Sequence, residues 1–203
     1  MARDLASKLG APLVVSDVSR LLVDLNRSIG NSRLHCDAIW HAAAWQRREI
    51  LERYYIPYRT KAEQRLVAAL ENDYRVVHVS SHSFTPELDG RLRNADIGLL
   101  YDPAREGELE LCELWKRSFA HCEPKLKVRR NYPYAGKGDG LTRYFRGRFE
   151  PADYIGIELE INQRFVFEAG ARWAALRKAV IESLRLALIA FVARRPLNSR
   201  SAT

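Results

Sequence analysis

The chain has 203 residues, 47% of them apolar and 29% charged, the make-up of one globular domain large enough to bury a core. Its net charge of +8 comes from cations scattered along the chain, densest at Arg47-Arg48, Arg129-Arg130 and Arg194-Arg195 to Arg200; no basic helix alternates with aromatic platforms, so no nucleic-acid partner is expected. Cys36, Cys112 and Cys122 form no CxxC pair, no apolar run approaches the roughly 18 residues of a membrane span, and Met1-Ala2-Arg3-Asp4-Leu5 lacks the apolar core of a signal peptide; these exclude a disulfide framework and a membrane partner and make a cytoplasmic location the expectation.

Residues 2–9 read as a helix stopped by Gly10 and Pro12. Pro12 to Val15 and Leu21 to Asp24 read as short strands, and Ser28 to Ala44 as a long loop. Trp45 to Asn72 carries a helical stripe with an interruption at Pro57. Val76 to Ser80 reads as a strand closing on His82, and Ile97 to Tyr101 as another, ended by Asp102-Pro103. Glu106 to His121 is an amphipathic helix, Lys127 to Arg130 a short strand, and Tyr132 to Gly140 a glycine-rich loop. Thr142 to Arg148 reads as a short helix, Ile155 to Ile161 as a strand, and Ala169 to Arg194 as a long C-terminal helix. Strands alternating with helices predict an α/β fold, a three-layer αβα domain with a mostly parallel or mixed central sheet.

Three strand-like runs end in polar chemistry. His82, flanked by serines before Pro86, reads either as a metal ligand through its neutral imidazole or as a hydrogen-bonded structural histidine. His78 falls on the same strand face as His82 and reads as structural. Glu158 and Glu160, two apart, share one strand face; they read as a general base or metal site, or as the wet face of an edge strand. Asn26-Arg27 suits recognition of a substrate carboxylate, unless Arg27 pairs structurally with Asp24 or Asp17. The run Arg129 to Gly140 mixes cations, aromatics and glycines and reads as a substrate-covering or a solvated loop; its glycine spacing does not match a phosphate loop. Neither GxSxG nor HExxH is present, so serine-based catalysis has no support.

Several of these runs, in order, resemble the N-formylglutamate amidohydrolase (N-formylglutamate deformylase) family. They are Ser19-Arg20-Leu21-Leu22-Val23-Asp24-Leu25-Asn26-Arg27-Ser28, Leu51 to Arg59, Ser81-His82-Ser83-Phe84-Thr85-Pro86 with Asp89-Gly90, Asp96 to Pro103, Arg130-Asn131-Tyr132-Pro133-Tyr134, and Gly156 to Gln163. That family is in turn similar to zinc carboxypeptidases. The resemblance implies a phosphorylase/hydrolase-like fold and metal-dependent hydrolysis of N-formyl or N-acyl amino acids, such as N-formyl-L-glutamate, with a place in histidine degradation. It implies one Zn2+ with His82 among its ligands, Glu160 as general base with Glu158 as second choice, and Asn26, Arg27, Arg130 and Tyr134 as substrate-binding residues.

The chain departs from the family pattern at its start, where the first strand and its His-x-x-Glu-type ligands find no match. The expectation is therefore a single N-terminally truncated domain over residues 1–203, with 196–203 a disordered tail. His35, Cys36, Asp37 and His41 are the conceivable substitute ligands. The alternative is a catalytically inactive remnant that binds carboxylates without hydrolysis.

Overall fold

The computed structural model describes residues Met1–Arg194, and the expected tail at 196–203 lies outside them. In chain order the elements are α1 (Ala2–Leu9), α2 (Asp37–Trp40), α3 (Ala44–Ile50), a π-helical turn (Leu51–Tyr55), α4 (Ile56–Glu71), β1 (Val76–Phe84), β2 (Glu87–Leu88), β3 (Arg91–Leu92), β4 (Ile97–Leu100), α5 (Glu106–Cys122), β5 (Val128–Arg130), α6 (Leu141–Arg146), β6 (Tyr154–Asn162), α7 (Arg164–Glu168) and α8 (Gly170–Arg194). They fall into two compact units. The first comprises Met1–Ala11, Val77–Gly138 and the chain from Ile155 on; the second comprises Pro12–Val76 and Asp139–Tyr154. No described helix is long and apolar enough to cross a membrane.

The first unit is built on a mixed sheet in the order β1-β6-β4-β5. Strand β4 runs parallel to β5 and antiparallel to β6, with Gly98 opposite both Arg129 and Glu160. The N–H of Val76 bonds the carbonyl of Asp153, and the N–H of Gln163 bonds the carbonyl of Phe84. Parallel-ladder geometry then pairs Val76 with Tyr154 at one end and Phe84 with Asn162 at the other. One unbroken register therefore places His82 beside Glu160 and Ser80 beside Glu158.

Alternation decides what each face of this sheet carries. Ile155, Ile157, Leu159 and Ile161 of β6, with Ile97 and Leu99 of β4, face a core filled by Leu111, Trp115 and Phe119 of α5 and Leu176, Val180, Leu184 and Phe191 of α8; Val77 and Val79 of β1 pack against it. The apolar positions of α5 and α8 recur at three- and four-residue spacing, so each helix presents one stripe to the sheet. The buried indole of Trp115 donates to Ser183 Oγ at 3.0 Å, tying the two helices together. Helix α1 ends in a left-handed Gly10 (φ 64°), as a C-terminal glycine cap allows.

In the second unit, α3, the π turn and α4 form one helical column. Pro57 was expected to interrupt it. Instead the proline sits at the start of α4, and the turn before it widens, so that the Ile56 N–H reaches back to the Leu51 carbonyl. A proline has no N–H to give to the preceding turn, and a wide turn absorbs that loss without breaking the column. Ala62 and Leu66 of α4 pack with Leu141, Phe145 and Tyr154, while Val23, Leu34 and Tyr55 form a second small core.

Two expected strands do not form. Pro12 to Val15 has no ladder partner, and Leu21 to Asp24 is a turn in which the N–H groups of Leu22 and Val23 return to the Ser19 carbonyl. Val23 is fully buried all the same, because the turn presses it against Leu34 and Tyr55. Strand β1 is longer than expected and runs through to Phe84, so His82 stands within the strand and not beyond its end. An unforeseen hairpin, β2–β3, turns at Asp89 (φ 51°) and Gly90 (φ 71°), with Leu88 opposite Arg91. Two successive positive φ values are what a tight two-residue hairpin demands.

Candidate active site

The face of the first unit's sheet turned away from the apolar core carries the chemistry. His78, Ser80 and His82 of β1 share the face opposite the core-packed Val77 and Val79; Glu158 and Glu160 of β6 alternate with core-facing Ile157, Leu159 and Ile161. Both glutamates are buried, 9% and 5% exposed. Buried carboxylates are costly unless their surroundings favour the charge, so two of them on one strand face mark a site. A row of residues crosses the sheet here: His82, by the β1–β6 backbone bonds, then Glu160, Gly98 and Arg129. With strands about 4.8 Å apart, neighbours in the row are within reach of one another.

Gly98 has a specific job in that row. A side chain there would collide with the carbonyl of Tyr132 and press on Cβ of Glu160. The glycine thus lets the backbone of the loop after β5 descend onto the sheet beside Glu160. Asn131 holds that loop. Its N–H donates to the Leu99 carbonyl at 2.9 Å, and its Oδ1 accepts from the N–H groups of Tyr101 (3.0 Å) and Gly136 (3.1 Å). Arg129 stacks on the Tyr132 ring, 4.8 Å from its centre.

His82 Nε2 and Ser80 Oγ share a hydrogen bond of 2.8 Å. Among the described residues no group of three or more His, Cys, Asp or Glu side chains is gathered as a metal site would need. His35, one of the conceivable substitute ligands, has its Nδ1 2.8 Å from the Leu22 carbonyl. Catalytic zinc generally uses three protein ligands. The described donor set therefore does not fit the zinc that the resemblance implies.

Of the expected substrate-binding residues, Arg130 is opposite Leu99 and shares that residue's core-facing side of the sheet, where it pairs with Glu113 of α5 at 2.8 Å. It does not share the face of Glu160; Arg129 does. Tyr134 is 45% exposed, and its hydroxyl accepts from Arg93 Nη1 at 3.0 Å.

Asn26 and Arg27 belong to the second unit. Asn26 Oδ1 accepts the N–H of Leu141, holding the start of α6. Arg27 donates to the Asp139 carbonyl at 2.8 Å, and its Nε lies 3.7 Å from Asp24 Oδ2. Asp139 is the hub of this loop: its carboxylate accepts from the Ser28 N–H, the Ser28 hydroxyl and the Asn31 amide. Burial works to raise the Asp139 carboxyl, but those hydrogen bonds and the Arg27 cation outweigh it and hold the group below the usual carboxylate value. Beneath the same segment Arg59 is buried, its guanidinium flanked by the rings of Tyr55 (5.1 Å) and Tyr144 (4.5 Å), and Tyr55 donates to the Arg27 carbonyl at 2.8 Å. Burial pushes the Tyr55 phenol up.

Sequence reasoning missed Gly98 and Arg93, and took Arg129 and Asp139 only as members of the Arg129 to Gly140 loop. The Asp89-Gly90 pair was the available signal for Arg93: it marks a hairpin whose second strand delivers that residue back to the end of β1.

The family model of N-formylglutamate amidohydrolases matches residues 1–167. No curated protein matches the chain. Among solved structures, the gene product Atu2144 of Agrobacterium tumefaciens is similar with a TM-score of 0.78 and 26% identity, over 93% of this chain and 75% of that one. The N-formylglutamate amidohydrolase of Ralstonia eutropha JMP134 is similar in fold, with a TM-score of 0.52 and 22% identity, over 70% of this chain and 53% of that one.

Proposed function

The chain belongs to the N-formylglutamate amidohydrolase family, and from that premise we propose that it hydrolyses the amide bond of N-formyl or other N-acyl amino acids, with N-formyl-L-glutamate as the first substrate to test. The observation that carries the reading is the placement of Glu160: buried, on the polar face of the sheet, in register with His82 and beside the Tyr132 backbone.

In this reading Glu160 is the general base. It takes a proton from a water whose oxygen attacks the formyl carbon. The proton then passes to the departing nitrogen as the C–N bond breaks, releasing formate and the free amino acid. Glu158, one row along, is the second choice for the same role. Asn26 and Arg27 are assigned to a substrate carboxylate, as the resemblance implies. Tyr134 is assigned to the substrate, whereas Arg130, engaged by Glu113, serves the sheet-to-helix packing. No step is routed through zinc, because the described donors do not make a zinc site. Cytoplasmic location and a place in histidine degradation belong to the same proposal.

The missing donor set favours one other reading, a catalytically inactive relative that keeps carboxylate binding. Formate release from N-formyl-L-glutamate by the purified chain separates the two. Activity that is lost in a folded Glu160→Gln variant supports hydrolysis with Glu160 as base. Full activity in that variant removes the assigned role, and no formate release from the wild-type chain leaves the binding-only reading.

A further inference from the structure

Arg93 lies just past β3, and its backbone N–H is anchored on the Pro86 carbonyl at 2.8 Å. Its guanidinium carbon is 5.1 Å from the centre of the Tyr134 ring and 5.9 Å from that of Phe84. Its Nη1 donates to the Tyr134 hydroxyl at 3.0 Å and approaches Thr85 Oγ1 at 3.5 Å. All of these partners are neutral. Most arginines with an assigned partner here are held by a carboxylate: Arg20 by Asp24, Arg148 by Glu63 and Arg177 by Asp4, for example. Among the described residues no carboxylate lies within ion-pair distance of Arg93.

Position gives this cation its meaning. Phe84 is two residues from His82 on β1, so it stands on the same sheet face as His82 and Glu160, about 7 Å along the strand. The Arg93 guanidinium stacks over that ring and is half-buried. Two aromatic rings and a hydroxyl fix its orientation while leaving its charge uncompensated. A guanidinium held this way is pre-organised for the two parallel N–H···O bonds of a carboxylate.

We propose that Arg93 recognises the side-chain carboxylate of a dicarboxylic N-acyl amino acid, a second acidic group in addition to the one assigned to Asn26 and Arg27, and so selects acidic over neutral substrates. The identity of the ligand rests on the hydrolytic reading above; the anion site itself does not.

The test uses glutarate, a dicarboxylate with no scissile bond, in calorimetric titration of the full chain. Glutarate binds the wild type. Loss of a desolvated charge-assisted pair weakens binding by about tenfold or more in Arg93→Gln. Arg93→Lys falls between, because lysine keeps the charge without the fork. Tyr134→Phe, which removes only the orienting hydroxyl, gives a smaller loss and serves if Arg93→Gln does not fold, as judged by its melting curve. Equal glutarate affinity in wild type and folded Arg93→Gln overturns the proposal, as does no binding to the wild type. In kinetics, the preference in kcat/KM for N-formyl-L-glutamate over N-formyl-L-glutamine falls in Arg93→Gln; an unchanged preference also overturns it. Glutarate binding that depends on Arg93, without any formate release by the wild type, sinks the hydrolytic reading and leaves the anion site standing. Hydrolysis that is indifferent to Arg93 does the reverse.

Discussion

Gly98 on β4 is the register partner of Glu160 on β6, and the carbonyl of Tyr132 occupies the space that a side chain at position 98 would need. Three strands and a loop thus converge where one hydrogen atom stands in for a side chain. The loop is held there independently by Asn131, whose backbone and side chain together make three hydrogen bonds to the β4 end and to Gly136.

Gly98→Ala follows directly. The obstructing atom is backbone, so no side-chain rotation relieves the clash. Either β4 or the Tyr132 loop must move. We expect a loss of stability of about 1–3 kcal/mol, the range of forced overpacking, seen as a lower denaturation midpoint in urea. Any formate-releasing activity should fall further than the stability change explains, because the displaced loop borders Glu160. A midpoint equal to that of the wild type would show that the loop does not rest on Gly98.

Glu108, fully buried at the start of α5, bridges two backbone groups where β4 and β6 diverge. Its Oε2 accepts the Asp102 N–H at 2.8 Å, its Oε1 accepts the Gly156 N–H at 3.1 Å, and Arg105 Nε lies 3.5 Å from Oε1. Glu108→Ala would remove the acceptor of both N–H donors. The expected cost is roughly 3 kcal/mol or more. Glu108→Gln, which keeps one acceptor, should cost less. An alanine variant within about 0.5 kcal/mol of wild type, the usual range for plain surface changes, would refute the bridging role.

The second unit should respond to acid through Asp139. Its folded-state carboxyl is held below the usual value. A depressed carboxyl contributes stability that is present above its unfolded value, about 3.9, and is lost as the pH falls through the folded value. The acid limb of the stability curve should therefore steepen below about pH 4, with the Arg27–Asn31 loop loosening first. Asp139→Asn should lower stability at neutral pH and flatten that limb. Denaturation midpoints of both proteins across pH 2 to 7 decide it, and parallel curves would contradict the assignment.

The donor arithmetic at His82 makes a prediction for metal content. With no group of three donors gathered among the described residues, the purified chain should carry well under one zinc, and His82→Ala should not change that figure. Elemental analysis checks both. About one zinc per chain, lost in His82→Ala, would reveal ligands that this reading of the site does not contain.

Much of the architecture was legible along the chain. The stripes of α5 and α8 and the alternation of apolar residues with Gly156, Glu158 and Glu160 on β6 are local patterns, because a helix repeats every 3.6 residues and a strand every two. Leu21 to Asp24 misled because three apolar residues before an aspartate have the same composition in a strand and in a turn that buries one residue; the backbone bonds to Ser19 and Leu34 tell them apart. Pro57 misled because the cost of a missing N–H can be met by a widened turn as well as by a break.

The sequence by itself determined that Glu158 and Glu160 share one face of a strand whose other face is apolar, since parity along one strand settles which residues share a face. It could not decide which strands are neighbours or how they are offset. Those follow from pairings between segments dozens of residues apart, where a one-residue shift would turn every side chain to the other face. Only the tertiary structure, therefore, set His82 beside Glu160, turned Arg130 toward Glu113 while leaving Arg129 on the polar face, laid Tyr132 over Gly98, and folded the Asp89-Gly90 hairpin back to stack Arg93 on Phe84.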